Sequence, residues 1–135
     1  MKLNKTMVLS IAVLLALLAV LPSITPAAHA DPYFTISASP NNLGTVTVGH
    51  QYRVTITVTS VGGFAGTVAL SASPITNLTA SLNPTSVTVT SGGSATSTLT
   101  LVFQDCNVGR PPEVVEGTSG TQARDTWITW GIIRC

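Results

Sequence analysis

Three observations predict an all-β fold, a small antiparallel sandwich of about seven short strands. From Gln51 to Ser60 the chain alternates, with Tyr52, Val54, Ile56 and Val58 on one parity and Arg53, Thr55, Thr57 and Thr59 on the other. That is the pattern of a strand with one face buried. Comparable stretches recur at short spacing between Gly, Pro and Asn punctuation, which favours hairpin-connected strands over a parallel sheet with helices. Beyond the first thirty residues, no segment carries a 3.6-residue apolar period.

A helix of another kind is expected to precede the sandwich. Lys2 and Lys5 lead into an apolar run from Met7 to Leu21, then Pro22, Pro26 and Ala28-His29-Ala30. This is the layout of a secretory signal peptide over 1–30, with cleavage after Ala30. The run of 15 residues falls short of the ~20 that a helix needs to cross the hydrocarbon core. An uncleaved N-terminal anchor is the alternative, and would be the chain's membrane contact. No Cys follows the run, so a lipoprotein anchor is not expected.

Residues 31–135 are one domain's worth of chain. Both lysines lie in the leader, leaving Arg53, Arg110, Arg124 and Arg134 against Asp31, Asp105, Glu113, Glu116 and Asp125, a formal charge of −1. Binding to nucleic acid through phosphates needs a clustered basic footprint, so that class is excluded. Ser and Thr supply 30 of these residues, as strand propensity favours and as O-glycosylated wall or stalk proteins also show.

The elements follow in order. Tyr33 to Ser39 reads as a strand with Phe34, Ile36 and Ala38 inward, stopped by Pro40, which cannot donate to a ladder. Thr45 to Val48 is a short strand turning at Gly49. The Gln51 strand ends at Gly62-Gly63, where glycine permits positive φ. Gly66 to Ala72 sets Val68, Leu70 and Ala72 on one face. Asn77 to Leu82 is weaker, with Leu78, Ala80 and Leu82 together. Val87 and Val89 form a short strand before the turn Ser91-Gly-Gly-Ser94. Ala95 to Phe103 points Leu99, Leu101 and Phe103 one way. Thr126 to Arg134 reads as a last strand with Ile128, Trp130 and Ile132 inward. A spacing of three puts Trp127 and Trp130 on opposite faces.

The segments Phe34-Thr-Ile-Ser-Ala-Ser-Pro40, Val61-Gly-Gly-Phe-Ala-Gly-Thr-Val68, Asn83-Pro-Thr-Ser-Val87 and Gly92-Gly-Ser-Ala-Thr-Ser-Thr-Leu99 together resemble the Ig-like β-sandwich repeats of secreted archaeal and bacterial proteins. The resemblance covers about residues 34–102. It implies an Ig-like sandwich and a cell-surface or extracellular location as spacer, surface module or companion of extracellular hydrolases, and it brings no catalytic residues. It breaks after Phe103, where 104–112 is irregular and Val114-Val115 reads as the remnant of a penultimate strand. Gly117-Thr-Ser-Gly120 and the run from Thr126 then return to the pattern, as a local insertion-deletion or frame error would leave it. The chain can equally be a fragment of a larger multi-repeat surface protein.

Little else carries chemistry. Cys106 and Cys135 are the only cysteines. Export permits their pairing, with free or intermolecular thiols as the alternative. Asn77-Leu78-Thr79 is the one N-glycosylation sequon outside the leader, since Pro84 disqualifies Asn83-Pro-Thr85. His50 stands alone beside a turn glycine, and no Gly-x-Ser-x-Gly elbow occurs. Asp105, Glu113, Glu116 and Asp125 match no Ca²⁺ loop and would bind a cation only if the fold gathered them. The expectation is a non-catalytic structural or adhesive module without cofactor or metal. Carbohydrate binding, with Trp127 joined by Tyr33 or Tyr52 as the stacking ring, is the alternative. A protein or cell-wall polysaccharide is the expected partner. A damaged penultimate strand would in addition offer an edge for self-assembly by strand addition.

Overall fold

The computed structural model describes residues 29–135; the expected signal segment up to residue 28 lies outside the described residues. In chain order the β-segments are β1 (Tyr33–Ser39), β2 (Val46–Thr47), β3 (Gln51–Val61), β4 (Gly66–Ala72), β5 (Leu78–Asn83), β6 (Ser86–Val89), β7 (Ser94–Phe103), β8 (Glu113–Ser119), β9 (Gln122–Ile128) and β10 (Ile133–Arg134). The eight longer ones form two four-stranded antiparallel sheets, β1-β3-β7-β5 and β6-β4-β8-β9. This is an Ig-like sandwich with one strand, β6, added beside β4.

The alternating parities produce the core. Phe34, Val54, Ile56, Val58, Leu99, Leu101 and Phe103 turn inward from the first sheet, and Val68, Leu70, Val87, Val89, Val115 and Ile128 from the second, all buried. At about 25 cal/mol per Å² of apolar surface removed from water, this layer is the main stabilising term. Phe64, beyond the Gly62-Gly63 turn, packs its ring 5.2 Å from that of Phe34 and closes one end of the sandwich.

The penultimate strand is intact, which corrects the expectation of a remnant at Val114-Val115. β8 spans seven residues and pairs with β4 on one side and β9 on the other. Its inward positions are Glu113, Val115 and Gly117, a carboxylate and a glycine in place of apolar side chains. A Cβ at Gly117 would stand 3.0 Å from Val68 Cγ1 and 3.4 Å from both Leu70 Cδ2 and Phe34 Cε2. A side chain here would fit only if the Val68 side chain gave way by a few tenths of an ångström.

The last run is also not one strand. β9 stops at Ile128, and the Thr129 and Gly131 N–H groups donate to Asn41 O at 2.9 Å and Gly44 O at 2.7 Å. The chain thereby leaves β8 and runs beside residues 41–48, ending in a parallel pair that sets Ile133 opposite Val46. The change of partner shifts the parity. Ile132, expected inside, is 57% exposed, while Ile133 packs against the core.

The irregular segment 104–112 is tied into this C-terminal run. Val108 is buried, the Trp130 indole N–H donates to Gly109 O at 3.1 Å, and the Trp130 ring meets Phe103 edge-on at 5.1 Å. A disulfide joins Cys106 to Cys135, with Cα atoms 5.7 Å apart. Where the chain departs from the repeat pattern it therefore builds a folded loop. Among the described residues, no helix is long and apolar enough to cross a membrane.

Candidate functional site

Two outer sheet faces are open to partners. On the first sheet, the register stacks short hydroxyl side chains in rows: Thr35, Thr59 and Ser94; Ser37, Thr57 and Thr96; Ser39, Thr55 and Thr98, the last row ending on the Asn83 carboxamide. These are the outward parities of strands whose inward parities fill the core. Arg53 is the one charged side chain on these outward parities, opposite Thr100.

On the second sheet, Trp127 is 55% exposed, and it stands opposite Val114 in the register. Two residues earlier on the same face, about 6.8 Å along the strand, Asp125 lies opposite Glu116. Like charges set directly opposite each other repel. Asp125, Glu116, Ala123 and Arg124 line a shallow open depression. Arg124 belongs to the opposite parity, paired with Gly117, and its guanidinium lies 5.7 Å from the centre of the Tyr33 ring and donates to Ala123 O at 2.8 Å. The site therefore combines one stacking ring with two acceptor carboxylates on a flat bed of Ala, Ser and Thr.

Of the aromatic candidates, only Trp127 stands clear of the fold. Tyr33 is 37% exposed and lies under Arg124. Tyr52 is half-buried: its ring packs edge-on against Phe103 at 5.8 Å, and its hydroxyl accepts the Thr47 N–H at 2.7 Å. It serves to fasten β2, which corrects its candidacy as a stacking ring. His50 is exposed.

The four carboxylates are not gathered; among the described residues, no group of three or more His, Cys, Asp or Glu is placed to hold a metal. Asp105 accepts the Asn107 N–H at 3.0 Å within its own loop. Glu113, whose burial nothing in the sequence signals, is fully enclosed, and its two carboxylate oxygens have no hydrogen-bond partner. Burial pushes its pKa from 4.5 up to about 7, opposed in part by the Ser73 backbone. The Ser73 N–H itself is committed to Val114 O at 2.9 Å.

The intact β8 also removes the edge on which strand addition was expected. The outer side of β9 is covered in part by β1, with Gln122 Nε2 donating to Pro32 O at 2.8 Å.

No family model matches this chain, and no curated protein matches it. Solved structures match its fold. A family 123 glycoside hydrolase from Clostridium perfringens superposes over 78% of this chain and 28% of that chain, at 9% identity and a TM-score of 0.54. Domains 4 and 5 of the S-layer protein SbsC match over 77% of this chain and 54% of theirs, at 17% identity and a TM-score of 0.48. A PapD-like domain of human CEP192 matches over 86% and 94%, at 13% identity and a TM-score of 0.45. The chain thus spans about half or less of the S-layer and hydrolase chains. At these identities a likeness bears on the fold alone, and of the three the hydrolase's exceeds a TM-score of 0.5.

Proposed function

We propose that this chain is an exported, non-catalytic surface module, an Ig-like unit that serves as spacer or adhesive outside the cell. The observation that carries this reading is the latch between Cys106 and Cys135, whose Cα atoms stand 5.7 Å apart. A structural disulfide persists in oxidising compartments and is rare in the cytosol, which agrees with the leader that precedes Asp31. The hydroxyl rows of the first sheet support the same reading. With Arg53 as their one charge they give a hydroxyl-rich, hydrated surface without lysine, suited to close packing among wall components.

Carbohydrate binding is the second reading, favoured by the exposure of Trp127 beside Asp125 and Glu116. A sugar's C–H face stacks on an indole and its hydroxyls donate to carboxylates. Retention of the domain 31–135 on insoluble cellulose, chitin and peptidoglycan separates the two. The spacer reading predicts equal, background retention for the wild type and Trp127→Ala. Retention of the wild type that falls about tenfold or more in Trp127→Ala would replace it with the sugar-binding one.

A further inference from the structure

The sequon at Asn77 occupies a place in the fold that its sequence alone does not reveal. The Leu78 N–H donates to Ile75 O at 3.2 Å and closes a tight turn, with Asn77 at φ 64° as the one non-glycine residue of positive φ among the described residues. Asn is among the side chains that tolerate this conformation. The middle residue, Leu78, is 9% exposed and turned into the core, so Asn77 and Thr79 are both exposed on either side of a buried anchor. The backbone here is pinned: Gln104 N–H donates to Asn77 O at 2.8 Å, and Gln104 Nε2 reaches Thr79 Oγ1 at 3.2 Å. Among the described residues no hydrogen bond engages the Asn77 carboxamide.

We infer that Asn77 is an N-glycan acceptor on the exported chain; this rests on the export reading above. The donor is an oligosaccharide linked to a membrane lipid through pyrophosphate, delivered by a transferase of the cell. The Asn77 carboxamide nitrogen attacks C1 of the first sugar. The N–C1 bond forms, the C1–O bond to phosphate breaks, the lipid pyrophosphate leaves, and Nδ2 gives up one proton. Thr79, two residues on, supplies the hydroxyl that the acceptor triplet requires. The glycan would stand at the head of β5, whose outer edge has no strand partner, and would shield that edge from another chain.

The fold contains its own control. Asn83-Pro84-Thr85 repeats the spacing, and Asn83 is exposed like Asn77, so exposure does not separate the two; Pro84 does. The test is the intact mass and glycopeptide fragmentation of the full chain recovered from its own cells, as wild type, Asn77→Gln, Thr79→Val and Thr79→Ser. The expected result is a wild-type mass above that of residues 31–135 by one glycan, with Asn83 bare. The increment disappears in Asn77→Gln and Thr79→Val and persists in Thr79→Ser. An exported chain beginning at Asp31 with bare Asn77, or an increment surviving Asn77→Gln, overturns the assignment and leaves export standing. An unprocessed chain retained inside the cell removes both.

Discussion

Raising the pH from 4.5 to 8 is expected to cost the folded domain about 3 kcal/mol through Glu113, and a Glu113→Met variant is expected to lose that component entirely. Glu113 is fully buried, its oxygens have no partner, and burial raises its pKa from 4.5 to about 7. Below 4.5 the carboxyl is neutral in both states and contributes no pH dependence. Between 4.5 and 7 the unfolded chain releases the proton while the folded one keeps it, so the unfolded state binds fewer protons and stability falls as pH rises. Above 7 both states are ionised and the loss is complete. Methionine fills similar space without charge, and replacing a buried charge by an apolar side chain is commonly neutral or stabilising. Urea midpoints at pH 4.5, 6 and 8 for both proteins provide the check. Parallel pH profiles would show that Glu113 is solvated in solution.

Opening the disulfide is expected to destabilise the domain by about 3–4 kcal/mol, the chain-entropy value for a closed loop of this size, with 29 residues separating Cys106 from Cys135. The effect should be local before it is global. Released, the C-terminal run keeps its backbone hydrogen bonds to residues 41–48, the two-residue β10 pair among them, and the Trp130 contacts to Gly109 and Phe103. Trp130 should then become wet well before β3 and β7 separate. A Cys106→Ser/Cys135→Ser double variant, compared with the oxidised wild type in urea, should show the lower midpoint together with a red-shifted tryptophan emission. Unchanged midpoint and emission would mean that the loop and C-terminus hold without the covalent link.

How much of this was legible in the sequence follows from the kind of signal each element carries. β1, β3, β4 and β7 could be read because their inward residues are mostly apolar, the buried Ser97 apart, and their outward ones mostly Ser and Thr, so a period of two stands out. β8 could not. Its inward row holds Glu113 and Gly117, residue types that ordinarily mark surface and turn, and the reason for the glycine lies in other strands: the Val68, Leu70 and Phe34 side chains that crowd the place of a Cβ.

The end of β9 was hidden for a related reason. Its residues continue to alternate in type through Trp130, but the backbone changes partner, and hydrogen bonds to Asn41 and Gly44 leave no local trace. Trp127 was readable as the outward indole from the spacing of three. The engagement of Tyr52 was not, because the Thr47 N–H that its hydroxyl satisfies is a backbone group. The disulfide candidates were visible as residues, whereas the approach of 104–112 to the C-terminus depends on Val108 and Trp130 being drawn into the core.

The central claim is that this sandwich works outside the cell, and its composition allows a direct measurement. The only lysines are Lys2 and Lys5, so a chain cleaved after Ala30 has a single reactive amine, the α-amino group of Asp31. Intact cells treated with a membrane-impermeant amine reagent, followed by mass mapping of the protein, should yield one label, on Asp31. A protein that is labelled only after lysis, and then at Met1, Lys2 and Lys5, would contradict the account.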